Sequence, residues 1–301
     1  MDKLCLRDVR HLGYALKLPP EQLFALVSDL CADEPQFYRE IEHPKPNGGS
    51  RKIVIPDWRL KQTQKRIDSW LARLDMPESI HGARKKRSAS TNALPHRFAE
   101  ALVQTDIKDF FPSIMSGAVY EMFRSLQGCS PDVARALTRL TTFKGSLPQG
   151  APTSPRVATL VLLPVVHRIE HLVKSRGGVA SIYIDDITVS GVKEPRVVLK
   201  KLCRIHETSG QRAHPNKSVV VGVREEKVVT GVADGHGTAD ATKSLVRDIR
   251  KAMRDLADGD NSVVDSLEGK IQHLKRLNPG SAKQWRRKLL RFQRNAESAA
   301  T

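Results

Sequence analysis

Asp185-Asp186 lies inside a run otherwise built for a β-sheet, with Ser181-Ile182-Tyr183-Ile184 before it and Ile187-Thr188-Val189-Ser190 after it. β-Branched and aromatic residues on both sides predict a hairpin over residues 177–191 with a two-residue tip at Asp185-Asp186. Aspartate is a poor strand former and neighbouring carboxylates repel, so a fold that keeps both needs positive charge beside them. In isolation the pair reads as an ordinary turn, where aspartate bonds its own backbone. A second apolar segment, residues 101–107, also carries an acid near its end, in Thr105-Asp106-Ile107-Lys108. A sheet that pairs the two segments gathers three carboxylates. Such a set can hold two Mg²⁺ ions roughly 3.5–4 Å apart, an arrangement that activates an attacking hydroxyl and stabilises a leaving pyrophosphate. Hard oxygen donors without clustered His or Cys favour Mg²⁺ or Mn²⁺ over zinc.

The remaining charge has the opposite sign. Among 301 residues, 50 Lys and Arg oppose 33 Asp and Glu, a formal charge of +17. Basic residues thicken in Arg84-Lys85-Lys86-Arg87 and in Lys275, Arg276, Lys283, Arg286, Arg287, Lys288, Arg291 and Arg294. One such cluster is ordinarily a solvated helix face. Two of them on a strongly basic chain point to nucleic acid, because each neutralised phosphate releases counterions. Aromatics at 5% are too few for an extended base-stacking platform. With 40% hydrophobic and 28% charged residues the chain can bury a core, which excludes wholesale disorder. The longest apolar stretch, residues 157–166, is about half a membrane span and contains Pro164. Neither a membrane segment nor, from the mixed charges of residues 1–10, a secretory signal is expected. Cys5, Cys31, Cys129 and Cys203 form no Cys-x-x-Cys pair, which argues for a reducing, cytoplasmic setting.

Periodicity orders the rest. Helices are expected near residues 20–30, 58–74, 131–140 and 157–174, and extended segments at 51–56, 218–223 and 227–232. Residues 44–49, Pro-Lys-Pro-Asn-Gly-Gly, read as a turn between two extended segments. Beyond Gly237 the pattern is helical apart from breaks at 258–261 and 278–280. The class is α+β with a basic helical C-terminal part.

Three segments in this order are recognisable. Asp106-Ile107-Lys108-Asp109-Phe110-Phe111, Leu147-Pro148-Gln149-Gly150-Ala151-Pro152-Thr153-Ser154-Pro155 and Tyr183-Ile184-Asp185-Asp186 resemble the palm motifs of reverse transcriptases in order and spacing. Asn92-Ala93-Leu94-Pro95-His96 and Val229-Thr230-Gly231 resemble the NAxxH and VTG signatures of the bacterial retron enzymes. Leu267-Glu268-Gly269-Lys270-Ile271 with Leu277-Asn278-Pro279 resembles the retron thumb, and the likeness covers residues 45–295 or so. The hairpin departs from the common pattern at Ile184, where retron enzymes usually have Ala.

The resemblance implies a right-hand polymerase: an N-terminal helical segment (1–40), fingers (41–100 with 115–155), a palm with a short antiparallel sheet (101–235) and a helical basic thumb (236–301). Asp106, Asp185 and Asp186 would be catalytic and metal-binding, with the Ile107 carbonyl as a further ligand. Arg51, Lys52, Phe111, Gln149, Gly150 and Lys217 would contact the dNTP, Phe111 barring a ribose 2′-hydroxyl. Arg84, Arg87, Asn92, His96, Val229, Thr230, Gly231, Arg286, Arg287 and Lys288 would contact RNA. His81 and His96 have no ligand partners near in sequence, and hydrogen-bonding roles are expected of both. The implied activity is RNA-directed DNA synthesis with two Mg²⁺ on a dedicated structured noncoding RNA, primed from a 2′-hydroxyl and yielding msDNA, in a phage-defence system with an effector protein. The alternatives are a group II intron-like or other bacterial reverse transcriptase, or an idle RNA-binding scaffold of the same fold.

Overall fold

In the computed structural model, which describes residues 4–44, 48–234 and 239–300, the chain begins with helices α1 (Val9–Leu16) and α2 (Pro20–Ala32). Asp8 caps α1 by accepting from the His11 backbone N–H, and Pro20 opens α2 where no donor is needed. Leu12, Leu16, Leu23, Leu26 and Leu30 from these helices enter the main core. Strands β1 (Tyr38–Pro44) and β2 (Ser50–Pro56) pair antiparallel on either side of the expected turn, of which residues 45–47 lie outside the described residues. In α3 (Trp58–Leu71), Asp57 caps the N-terminus at 2.8 Å from Leu60 N, and Leu60, Ile67 and Leu71 are buried. A capping box between Ser88 and Thr91 starts α4 (Ala89–Ala93).

Next come β3 (Leu102–Asp106), α5 (Phe110–Ser113), α6 (Ser116–Glu121), a π-helical turn at Met122–Leu126 and α7 (Pro131–Thr141). The single helix expected over residues 157–174 is two, α8 (Ser154–Val161) and α9 (Leu163–Lys174), divided at Leu162. Pro164 has no N–H and its ring crowds the carbonyl four residues back, which breaks the helix there. β4 (Val179–Tyr183) and β5 (Asp186–Ser190) form the predicted hairpin, but Tyr183 pairs with Asp186. Its tip is therefore Ile184-Asp185, and Asp186 belongs to the strand. After α10 (Pro195–Glu207), β6 (Val219–Val221) completes an antiparallel sheet of order β4-β5-β3-β6.

The extended segment expected at 227–232 is a hairpin of its own, β7 (Val228–Val229) and β8 (Val232–Asp234), turning through Thr230-Gly231. Both turn residues are left-handed, with φ of 50° and 76°, as a tight two-residue loop requires. β9 (Ala239–Ala241) pairs with β8, so the segment past Gly237 is not wholly helical. α11 (Lys243–Ala257), α12 (Val264–Leu277) and α13 (Pro279–Ala300) then gather a second core around Ile249, Leu256, Leu267, Leu274 and Leu289. Among the described residues no helix is long and apolar enough to cross a membrane, and all four cysteines are free.

His96 braces the β4–β5 hairpin from beneath. Its Nδ1 is 2.8 Å from Ser190 Oγ and its Nε2 2.7 Å from Ser181 Oγ, one serine from each strand. The residue is 2% exposed, and burial, aided by His81, pushes its pKa from 6.5 down to about 4. Its neutral form therefore supports the fold above about pH 6.5, and that support is lost as pH falls towards 4. His96→Ala leaves a cavity and two buried hydroxyls without this partner, and should cost about 2–4 kcal/mol in urea unfolding at neutral pH.

Candidate active site

The register of β3 on β5 sets Asp106 directly opposite Asp186, and the hairpin tip puts Asp185 next to them. Asp106 is only 4% exposed because β3 is flanked on both sides, by β5 and β6. A third segment laces onto its end. Ile107 bridges Ala213, Lys108 N donates to Arg212 O at 2.8 Å, and His214 N donates to Asp106 O at 2.7 Å. Neither hydrogen bond uses the Ile107 carbonyl. This lacing leads into the turn Pro215–Lys217, from which Lys217 Nζ donates to Asp106 Oδ2 at 2.6 Å.

Three acids so close cannot all ionise freely. Burial raises the Asp186 pKa to about 7, reinforced by the charges of Asp185 and Asp106 and opposed by Lys217. Asp185 is raised for the same two reasons, burial first and Asp106 second. Lys217 is held charged, its pKa raised chiefly by the bond to Asp106. Among the described residues no three His, Cys, Asp or Glu side chains are already gathered in coordinating geometry. The donor set nonetheless fits a hard divalent cation. Its oxygens are partly dehydrated and mutually repelling, a charge imbalance that Mg²⁺ or Mn²⁺ would relieve.

The other expected residues fall into distinct groups. Phe111 is half-buried, edge-on to Phe110 at 5.1 Å between ring centroids, just past the left-handed Asp109. Gln149 O accepts from Val54 N at 2.7 Å, and a Cβ on Gly150 would lie 2.7 Å from Val54 O. Glycine at 150 is thus already required by packing against β2, before any ligand is considered. Lys52 is ion-paired to Glu40, which also holds Lys144 Nζ at 2.6 Å, while Arg51 is exposed. Sequence reasoning missed Glu40 and Lys144, for nothing in the chain order joins them. Arg84 and Arg87 both pair with Glu78. Arg286, Arg287 and Lys288 are exposed on α13, with Lys288 Nζ 4.7 Å over the Trp285 ring.

The side chains of Asn92, His96 and Val229, expected to touch RNA, are instead buried, at 0%, 2% and 3% exposed. Asn92 Nδ2 donates to Thr230 Oγ1 at 2.8 Å, tying the first signature segment to the second, and Ser181 Oγ donates to Asn92 O at 3.1 Å. Both His96 nitrogens and Asn92 Nδ2 are engaged within the protein, while the buried Asn92 Oδ1 has no partner, so these side chains brace neighbouring segments. Of the signature residues expected to touch RNA, Gly231 alone is exposed.

The comparisons with known proteins bear on this geometry. Residues 43–233 match the family described as reverse transcriptase (RNA-dependent DNA polymerase). The chain belongs to the reverse transcriptase family. It is similar to the Retron Ec86 reverse transcriptase of Escherichia coli, 29% identical over 272 residues covering 88% of this chain and 82% of that one. It is 28% identical to the Retron Mx162 reverse transcriptase of Myxococcus xanthus, covering 87% and 64%. With the Retron Se72 reverse transcriptase of Salmonella heidelberg it shares 30% identity, covering 79% and 65%. The chain spans about four-fifths of the first relative's length and just under two-thirds of the other two. The family's activity is RNA-directed DNA polymerisation, a nucleotidyl transfer.

The raised carboxylates of this reverse transcriptase make its stability depend on pH. Protonated Asp186 stabilises the metal-free fold at low pH, and that contribution is lost as pH rises through about 7. Asp186→Asn should therefore raise the metal-free Tm more at about pH 8 than at about pH 5. Differential scanning calorimetry in EDTA checks this.

Proposed function

We propose that this protein copies a dedicated structured noncoding RNA into single-stranded DNA, starting from a 2′-hydroxyl of that RNA and leaving an RNA–DNA branch (msDNA). The observation that carries the reading is the register of Asp106 on Asp186, with Asp185 at the adjoining tip. It occurs in a chain 28–30% identical over most of its length to retron reverse transcriptases. In this reading the β1–β2 ribbon belongs to the fingers, the four-stranded sheet to the palm and α11–α13 to the thumb. The system acts in the cytoplasm, in phage defence, beside an effector protein.

Asp106, Asp185 and Asp186, with the Ile107 carbonyl, would hold two divalent cations. When bound, Mg²⁺ or Mn²⁺ polarises the attacking hydroxyl and neutralises charge on the departing pyrophosphate. The chain's own groups orient the rest. Lys217 Nζ, held charged beside Asp106, carries a proton close to the reacting phosphates. Arg51 and Lys52 grip the triphosphate, which requires Lys52 to exchange Glu40 for phosphate. The Phe111 ring lies under the sugar and excludes a 2′-hydroxyl, while Gln149 and the Gly150 backbone seat the nascent pair. Arg84 and Arg87 contact RNA at its phosphates, and Thr230 and Gly231 present the exposed turn of the second signature. Arg286, Arg287 and Lys288 follow the duplex backbone, which conveys affinity without base recognition.

Primer extension on an RNA template with dNTPs and Mg²⁺ is the test. The wild type should extend, and Asp185→Ala with Asp186→Ala should lose extension by about a thousandfold or more while RNA affinity stays the same or tightens. Full-rate synthesis by the double variant would refute the assignment. Phe111→Ala should admit rNTPs, lowering dNTP-over-rNTP discrimination about tenfold or more in single-nucleotide incorporation.

A further inference from the structure

The β4 edge of the four-stranded sheet is covered by a short segment, Ser79-Ile80-His81-Gly82. Ile80 bridges Ile182 in parallel sense: Ile182 N donates to Ser79 O at 2.8 Å, and His81 N and Gly82 N both donate to Ile182 O, at 2.8 and 3.3 Å. The segment is itself anchored at several points. Ser79 Oγ donates to Glu170 Oε1 on α9 at 2.6 Å, and His81 Nδ1 is 3.0 Å from Thr91 Oγ1 on α4. Arg84 donates to Pro77 O at 2.9 Å and, with Arg87, pairs with Glu78, closing the loop on itself. Its last paired residue, Gly82, is buried directly against the hairpin tip.

The contact there is closer than any side chain allows. A Cβ on Gly82 would lie 2.4 Å from the backbone N of Ile184, and 2.8 and 2.9 Å from its Cδ1 and Cγ1. The Ile184 N is part of the tip backbone, so the tip itself would have to move. That tip is strained: Ile184 is β-branched and left-handed, with φ of 62°. A β-branched residue there is an outlier that persists only where its surroundings impose it. Gly82 and the anchored segment supply that constraint from one side, the pairing of Tyr183 with Asp186 from the other. Asp185 follows Ile184 directly, so the backbone that Gly82 presses on also sets where the Asp185 carboxylate points.

We infer that Gly82 is a positioning residue for the metal site, holding the left-handed Ile184 tip so that Asp185 converges with Asp106 and Asp186. The inference rests on the metal-binding role proposed above for these three acids. Its experiment reads metal binding apart from polymerisation, so the two can fail separately. The effect of Gly82 is exerted through backbone packing, since the residue is buried against the Ile184 backbone.

Mn²⁺ alone, titrated into the full-length protein and followed calorimetrically, is the probe. Gly82→Ala should weaken Mn²⁺ binding about tenfold and, in primer extension, lower kcat comparably while KM for dNTP and RNA affinity stay within about twofold. Raising Mg²⁺ should recover part of the lost rate. Ser79→Ala, which frees the segment from Glu170 without a clash, should weaken Mn²⁺ binding in the same direction by about threefold. Wild-type Mn²⁺ affinity in a folded Gly82→Ala protein overturns the inference, whether or not the wild type polymerises. If Gly82→Ala does not fold, wild-type affinity in Ser79→Ala overturns it instead. A wild type that binds Mn²⁺ and synthesises no DNA on any RNA template refutes the polymerase reading alone.

Discussion

Repulsion among Asp106, Asp185 and Asp186 is the constraint that the surrounding structure is arranged to withstand. Strand pairing forces Asp106 and Asp186 face to face, and the tight tip denies Asp185 any retreat. Left alone, such a cluster would favour slippage of the hairpin by one residue, which would turn its apolar side chains outward. Every neighbouring element opposes that slip. Lys217 supplies positive charge, the segment at 212–214 pins the end of β3 by two backbone bonds, and His96 ties the two hairpin strands together by their serines.

The signature segments gain a physical meaning from this. Asn92 and His96 lie on one short stretch, yet one reaches Thr230 and the other the hairpin. Together they join the three-stranded sheet of β7–β9 to the sheet that carries the acids. Burial at 0–2% exposure favours internal hydrogen bonds, which both His96 nitrogens and Asn92 Nδ2 make, leaving only Asn92 Oδ1 of these atoms without one. Basic residues show the complementary arrangement. Lys52, Arg84 and Arg87 are each held by a carboxylate, Glu40 or Glu78, whereas Arg286 and Arg287 lie exposed on α13. Surface ion pairs of this kind contribute little to stability, so they can be exchanged for phosphate at small cost.

Much of this was legible beforehand. Alternating β-branched residues announced the hairpin and β3, because a half-buried strand needs them, and the acids among them announced the site. Strands β1 and β2, and helices α3 and α7, follow from the turn-forming residues of 44–49, caps and apolar spacing. The misses have local causes. Pro164 divides a helix whose apolar pattern runs straight through it, and Thr230-Gly231 turns a run that reads as one strand. The hairpin tip shifted by one residue because the Tyr183–Asp186 pairing outweighs the preference of aspartate for turns.

By itself the sequence determined most of the longer elements, their order and which residue types carry the chemistry, since these depend on neighbours a few positions apart. Only the tertiary structure decided which charges meet and which are held by other partners. Lys217 lies 111 residues from Asp106, His96 is separated by 85 and 94 residues from its two serines, and Gly82 touches a tip about a hundred residues away because β4 is the outer strand of its sheet. Such contacts have no period and no local composition. They are fixed by the order of strands in a sheet and by the space left when backbones close to van der Waals contact, which a one-dimensional pattern does not encode.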